Sequence, residues 1–130
     1  MTPLESEERS VAVIGASQNR GKFGNKCVRA YQQAGYQVLP INLHADEIEG
    51  LPVFRSIRDL PSIPERISIY LPPHKTRALI PELVSCTGAE VWFNPGSADP
   101  QTLEQARATG IDVRDGCSIV DIGLSPALFP

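Results

Sequence analysis

A short apolar run that ends in glycine and leads into a helical pattern is the feature that most constrains this chain. Residues 10–16 read SVAVIGA, rich in β-branched and small side chains, which predicts a buried strand. From Phe23 to Ala34 apolar side chains recur at helical spacing, and Gly35 follows as a helix stop. A strand, a glycine loop and a helix in this order present backbone N–H groups to an anion at the start of the helix.

The same alternation recurs along the rest of the chain. Further strands are predicted over residues 36–42, 66–72, 89–94 and 111–115. Each strand must return over a face of the sheet to pair in parallel with the next, so helices are expected between them. The sequence therefore predicts an α/β fold, a single Rossmann-like doubly wound domain with a mainly parallel five-stranded sheet. This domain is expected over residues 10–130, after a flexible segment over residues 1–9.

Capping residues and prolines indicate where the helices after the third and fourth strands begin. Asp99 is placed as an N-cap, with Pro100 at the first helical position. For the helix after the third strand, Thr76 is a candidate N-cap, and the predicted apolar side consists of Leu79, Ile80, Leu83 and Val84. Pro81 conflicts with this helix, because an interior proline should kink it or move its start to a later residue.

Four loops are expected to form the functional site. In doubly wound sheets, ligands bind beyond the carboxyl ends of the strands, where the strand order reverses. The corresponding loops span residues 15–24, 42–44, 71–74 and 94–97. We expect the ligand to bind where these loops meet.

Charge is distributed unevenly along the chain. The net charge is −3, which disfavours a general nucleic-acid binder. Between Ser10 and Ala45 there is no Asp or Glu, whereas four cations lie there: Arg20, Lys22, Lys26 and Arg29. This segment is therefore +4 and the remainder −7, which together give −3. A cationic segment that coincides with the glycine loop indicates a small polyanionic ligand.

Composition narrows the class of protein further. No apolar run approaches the roughly 20 residues that a bilayer requires, and the N-terminus MTPLESEER is acidic, so we expect a cytoplasmic protein with no membrane partner. Three cysteines, with no CxxC, favour free thiols over a disulfide framework or a zinc site. The apolar tail SIVDIGLSPALFP is expected to cover the core or a partner subunit, which leaves a homo-oligomer or a partner protein open.

The first loop departs from the dinucleotide fingerprint GxGxxG. Ala16 and Ser17 stand where that pattern has a variable residue and its second glycine, and the loop is longer. The second strand ends in Asn42, where NAD-binding proteins place an acid for the ribose hydroxyl. Both departures weaken an NAD interpretation. They leave a helix N-terminus with oriented amides and the nearby Lys22, an arrangement that suits a pyrophosphate.

Five motifs together resemble a known family. They are GAS followed by a lysine and a glycine, then LPIN, EGLPVF, YLPP and VWFNPGS, in this order over about residues 8–117. The combination resembles the small stand-alone CoA-binding proteins, which are similar to the CoA-binding domain of the succinyl-CoA synthetase α subunit and of ADP-forming acyl-CoA synthetases. The resemblance implies a small-molecule nucleotide ligand, CoA or acyl-CoA.

The resemblance also implies a set of binding residues. The phosphate turn would consist of Gly15, Ala16 and Ser17, and the start of the first helix of Lys22, Phe23 and Gly24. Asn42 would lie near the adenosine, and Pro72 and Pro73 would form a wall after the third strand. The turn near pantetheine would consist of Asn94, Pro95, Gly96 and Ser97, where the family often has glutamine in place of Asn94.

No catalytic constellation is visible in the sequence. His44 and His74 are the only histidines, and neither has a partner arranged for nucleophilic or acid–base work. The resemblance implies that the phosphorylated histidine and the nucleotide site of the synthetases lie in parts beyond this chain. We therefore expect non-catalytic binding of CoA or acyl-CoA. Two alternatives stay open: an NAD(P)-binding oxidoreductase fragment or redox sensor, and a protein interaction module with a vestigial nucleotide pocket.

Overall fold

A five-stranded parallel sheet with helices on both faces forms the body of the protein, as described over residues 9–130 by a computed structural model. The strands are β1 (Ser10–Ile14), β2 (Gln37–Ile41), β3 (Glu47–Ile48), β4 (Leu51–Pro52), β5 (Arg66–Ile69), β6 (Glu90–Phe93) and β7 (Asp112–Asp115). The helices are α1 (Phe23–Gln33), α2 (Pro73–Val84), α3 (Pro100–Ala108) and α4 (Ser118–Asp121), with 3₁₀ turns at Ile57–Asp59 and Pro126–Leu128. The predicted Rossmann-like α/β fold is confirmed.

The order of the strands places the site. The sheet runs β2-β1-β5-β6-β7, and every neighbouring pair is parallel. After β1 the chain adds β2 on one side and then β5 on the other, so the order reverses between β1 and β5. The crevice beyond the carboxyl ends of these two strands is where such sheets bind ligands.

Alternation along β1 separates two cores, one on each face of the sheet. Val11 and Val13 face the core that α1, α4 and the C-terminal tail cover, in which Tyr31, Ile119 and Phe129 are buried. Ala12 and Ile14 face the other core, under α2 and α3. The tail therefore covers the core, as the sequence predicts, although Val120 and Leu128 on it are exposed.

Helix α2 begins earlier than predicted. Pro72 is its N-cap and Pro73 its first residue, whereas Thr76 lies buried inside the first turns, so the prediction of Thr76 as N-cap is wrong. The proline ring fixes φ near the helical value and its missing N–H needs no partner at that position, which favours a start at Pro73. Pro81 is tolerated inside the helix, and Val84, predicted on the apolar side, is exposed.

A small antiparallel hairpin of β3 and β4 lies between β2 and β5 in the chain. Its two-residue turn holds Glu49 at φ 49° and Gly50 at φ 80°, the left-handed conformations that a type I′ hairpin turn requires. Glycine adopts this conformation freely, whereas a glutamate there is strained. The hairpin therefore presents a glutamate at a strained backbone position.

The predicted flexible segment over residues 1–9 lies outside the described residues except for Arg9, whose guanidinium pairs with Glu65 at 2.8 Å. Across residues 9–130, no helix has the length and apolar character needed to span a bilayer.

Candidate functional site

Two neighbouring cavities lie beyond the carboxyl ends of β1 and β5. The larger has a volume of about 630 Å³ and the smaller about 250 Å³. Gly15 and Leu71 line both of them, so the two cavities share a floor at the point where the strand order reverses. A single elongated ligand can therefore extend from one cavity into the other.

The smaller cavity brings together most of the residues predicted for the site. Those that line it are Gly15, Lys22, Phe23, Gly24, Pro72, Pro95, Gly96 and Ser97. Asn42 lines the larger cavity. The remaining four, Ala16, Ser17, Pro73 and Asn94, line neither. Residues from three loops, which are far apart in the chain, thus meet at one place.

Two glycines let the loop, the helix and the strand end approach closely. A Cβ on Gly24 would lie 2.1 Å from the carbonyl oxygen of Gly15, and a Cβ on Gly15 would lie 2.2 Å from the carbonyl oxygen of Tyr70. Gly15 also has φ +88°, which L side chains rarely adopt. Both glycines are required sterically, and their contacts hold the N-terminus of α1 against the tips of β1 and β5.

The start of α1 is open to an anion. Its N-cap, Lys22, makes no side-chain cap, and the first turn contains no acidic residue. The amides of Phe23 and Gly24 donate to no acceptor within the described part of the chain. Unpaired N–H groups at a helix N-terminus, together with the helix dipole, form a ready site for phosphate.

The four cations of the acid-free segment have different surroundings. The guanidinium of Arg20 pairs with Glu49 at 2.7 Å, and that of Arg29 donates to backbone carbonyls of the C-terminal tail. The ammonium of Lys26 lies 5.7 Å from the centre of an aromatic ring. Among residues 9–130, Lys22 alone of the four has no hydrogen bond, acid or ring as a partner. The free positive charge at the smaller cavity therefore belongs to Lys22.

The β3–β4 hairpin supports the glycine loop from outside. The side-chain amide of Gln18 donates to the carbonyl of Glu47 at 2.9 Å, and that of Asn25 donates to the carboxylate of Glu49 at 3.1 Å. With the ion pair between Arg20 and Glu49, these contacts fix the loop to the hairpin. Strained residues persist where the surrounding structure holds them, and these contacts hold Glu49.

Asn42 closes the second strand by binding the loop and its own turn. Its side-chain amide donates to the carbonyl of Ala16 at 2.9 Å, and its side-chain oxygen accepts from the amides of His44 and Ala45, each at 2.8 Å. Ala16 itself is 1% exposed, and the hydroxyl of Ser17 accepts from a backbone amide of its own loop. These residues shape the glycine loop from within.

Asn94 lies beneath the turn that follows β6. It is 2% exposed, and its amide donates to the hydroxyl of Ser68 and the carbonyl of Ile69, each at 2.9 Å. Its side-chain oxygen accepts from the amide of Ser118 at 2.9 Å. These internal bonds occupy the side chain, which therefore joins β5 to the start of α4 beneath the turn. Ser97 on that turn lines the smaller cavity, and its buried hydroxyl has no partner in the described residues.

The larger cavity contains residues that the sequence did not single out as binding residues. Its walls are mostly apolar, and its charged or polar lining includes Arg55, Lys75, Glu82 and His44. Arg55 follows the EGLPVF motif directly, and Lys75 lies two residues after YLPP. Their positions just after these motifs were the only indication in the sequence that Arg55 and Lys75 lie at the site. The second histidine, His74, is exposed and lines neither cavity.

The one buried cysteine is unsuited to thiol chemistry. Burial raises the pKa of Cys27 to about 11, although its sulfur donates to the Ser68 hydroxyl at 3.5 Å. The thiolate, not the thiol, is the reactive form, so Cys27 is inert near neutral pH. All three cysteines are free.

Comparison with known proteins identifies the family to which these features point. The profile of the CoA binding domain family matches residues 9–123. Among curated proteins, the α subunit of acetate–CoA ligase [ADP-forming] I of Pyrococcus furiosus is 26% identical over 135 residues, which cover 92% of this chain and 29% of the subunit. The chain therefore spans less than a third of the length of this relative.

The solved structures that resemble this chain include a protein of similar length and a larger protein. A conserved hypothetical protein from Pyrococcus furiosus is 32% identical, with a TM-score of 0.80, covering 87% of this chain and 98% of its own. A dinucleotide-forming acetyl-coenzyme A synthetase 1 of Ca. Korarchaeum cryptofilum is 25% identical, with a TM-score of 0.69, covering 85% of this chain and 27% of its own. One neighbour thus has nearly the extent of this chain, and the other contains a similar unit within a larger protein.

Proposed function

This chain belongs to the CoA-binding domain family, related to subunits of ADP-forming acyl-CoA synthetases, and from that premise we propose that it binds CoA or an acyl-CoA without itself catalysing a reaction. The observation that carries the proposal is the smaller cavity, where the open N-terminus of α1 and the unpaired Lys22 meet at the strand-order reversal. The ligand's pyrophosphate binds there, on the amides of the glycine loop and of Phe23 and Gly24.

The rest of the ligand extends from this point. Adenosine lies in the larger cavity beside Asn42, where the apolar walls suit a nucleobase. Pantetheine lies along the wall formed by Pro72 and the turn of Pro95 and Gly96. The unpartnered hydroxyl of Ser97 is available there for a hydrogen bond to the ligand.

The NAD(P) alternative lacks the group that would recognise its ribose. NAD-binding sheets place an acid at the end of the second strand, and Asn42 there uses its side chain on Ala16, His44 and Ala45. For the redox-sensor version, the buried thiol of Cys27 is unsuited, because burial raises its pKa. These observations favour CoA over a nicotinamide cofactor.

Thermal melts with a panel of nucleotides test the proposed ligand. A ligand at 100 times its dissociation constant stabilises a protein by roughly 2.7 kcal/mol, which a melt detects. We expect CoA to raise the melting temperature more than NAD or NADP at equal concentration. A clear advantage for NAD or NADP would overturn the proposal, and no shift with any nucleotide would favour an interaction module with a vestigial pocket.

Reversing the charge of Lys22 should weaken CoA binding without unfolding the protein. Lys22→Glu replaces attraction by repulsion at the mouth of α1, so we expect an affinity loss that shrinks as salt screens the interaction. The side chain is exposed and unpaired, so the melt without ligand should change by less than about 0.5 kcal/mol. Calorimetric titration of CoA at low and high salt measures both effects.

Lys26→Glu provides the matched control for that experiment. Lys26 lies one turn further along α1 and does not line the smaller cavity, so its reversal should cost less affinity. Equal CoA affinity for wild type and Lys22→Glu would remove Lys22 from the site and leave the backbone amides as the phosphate ligands.

A further inference from the structure

One of the cations that line the larger cavity has no hydrogen-bond or ion-pair partner among residues 9–130. Two cations line this cavity, Arg55 and Lys75. The guanidinium of Arg55 is held by the carboxylate of Asp46 and by the backbone carbonyls of Asn42 and Ala45. The ammonium of Lys75 makes no hydrogen bond or ion pair within residues 9–130. Lys75 is therefore the free positive charge of the larger cavity.

The surroundings of Lys75 add to its positive potential. It lies in the first turn of α2, which contains no acidic residue, so the N-terminal end of the helix dipole reinforces its charge. The acid that lines the same cavity, Glu82, is seven residues further along the helix, or about 10 Å at the helical rise. Glu82 is also bound by Arg58 at 3.2 Å and by the hydroxyl of Ser56 at 3.1 Å. Glu82 therefore does not neutralise the positive charge of Lys75.

Each of the two adjoining cavities is therefore lined by one unpaired cation. Lys22 lies at the smaller cavity and Lys75 at the larger, and Gly15 and Leu71 line both cavities. A ligand that satisfies both needs two anionic groups on either side of an uncharged or apolar part. CoA has this pattern, because its pyrophosphate and its 3′-phosphate are separated by the ribose.

We infer that Lys75 binds the 3′-phosphate of CoA and makes the protein selective for CoA over 3′-dephospho-CoA. The inference rests on the proposed function, since it assumes that the pyrophosphate lies at α1 and the adenosine in the larger cavity. The 3′-phosphate is a monoester that carries nearly two charges at neutral pH, and an ammonium on a flexible stem can reach it as a point charge. Lys75 then recognises the group that CoA has and its dephosphorylated form lacks.

A cycle of two ligands and three proteins tests the inference. CoA and 3′-dephospho-CoA are titrated calorimetrically into wild type, Lys75→Gln and Lys26→Gln, with a melt of each protein to establish that it is folded. We expect wild type to prefer CoA by about tenfold, as one charge-assisted contact allows. Lys75→Gln should lose most of this preference by binding CoA more weakly while its affinity for 3′-dephospho-CoA stays unchanged. Lys26→Gln, a lysine that lines neither cavity, should keep the preference.

The outcomes separate this inference from the proposed function. If Lys75→Gln weakens both ligands equally, the lysine contacts a part that both share, and the inference is wrong. If wild type binds both ligands equally well, the inference is also wrong, but CoA binding itself is established. If wild type binds neither ligand, the proposed function fails and this inference fails with it.

Discussion

Replacing Gly24 by alanine is expected to lower the free energy of unfolding by about 3 kcal/mol or more and to abolish measurable CoA binding. The new Cβ would lie 2.1 Å from the carbonyl oxygen of Gly15 and 3.2 Å from the Cα of Ala16. Both are backbone atoms that cannot rotate away, so α1 must move off the loop. Urea unfolding and a CoA titration of the folded fraction measure the two effects.

Gly21→Ala is the control for that substitution, in the same loop. A Cβ there would meet only the flexible side-chain oxygen of Asn19, at 3.3 Å, and Gly21 does not have a positive φ. We expect a change in stability within about 1 kcal/mol, and the smaller entropy of the unfolded chain can make it favourable. If Gly24→Ala behaves like Gly21→Ala, the close approach of helix and loop is not needed for the site.

The fold could be predicted because its signals are local. Strands β1, β2 and β6 are mostly apolar, although the edge strand β7 is mostly polar. The caps of the helices depend on residues that are neighbours in the chain. Asp99 is one example, since its carboxylate accepts from the amide of Thr102 at 2.8 Å, as predicted for an N-cap. The predicted start of α2 is wrong because two local signals compete there. Pro73 at the first helical position outweighed the capping preference of Thr76.

The electrostatics of the site could be predicted only in part, because they depend on a distant segment. The acid-free stretch from Ser10 to Ala45 carries four cations, and the sequence indicates Lys22 among them for a pyrophosphate. The β3–β4 hairpin, however, brings Glu49 to Arg20 across 29 residues of sequence, and the C-terminal tail engages Arg29. The free charge near the glycine loop is consequently smaller than the sequence indicates and is concentrated at Lys22.

The larger cavity could not be assembled from the sequence, because it forms between elements that do not pair locally. Its walls come from β2, the turn at Ile57–Asp59 and one side of α2. Whether Lys75 faces a cavity or solvent depends on where α2 begins and therefore on its helical phase. The sequence does not determine that start, because Pro81 conflicts with the predicted helix. A cation on a helix therefore gains a candidate role only once the helix is placed.

Truncating Asn94 is the second change for which we expect a large effect. Asn94→Ala removes two donated bonds and one accepted bond, and leaves the carbonyl of Ile69 and the amide of Ser118 buried without these partners. Each buried group left unsatisfied costs about 1–3 kcal/mol, so the free energy of unfolding should fall by about 3–4 kcal/mol. Asn19→Ala, in an exposed loop, is the matched control and should cost about 1 kcal/mol or less.

The effect of Asn94→Ala on binding distinguishes a positioning role from a contact with the ligand. The internal bonds occupy the amide, whereas the backbone carbonyl of Asn94, which accepts from the amide of Ser97 at 2.9 Å, remains after the substitution. The turn that lines the smaller cavity should therefore survive in every molecule that folds. We expect low-temperature titration, corrected for the folded fraction, to give a CoA affinity close to that of wild type. A large loss of affinity in fully folded protein would instead mean that Asn94 itself binds the ligand, and a stability equal to that of Asn19→Ala would mean that its buried bonds contribute little.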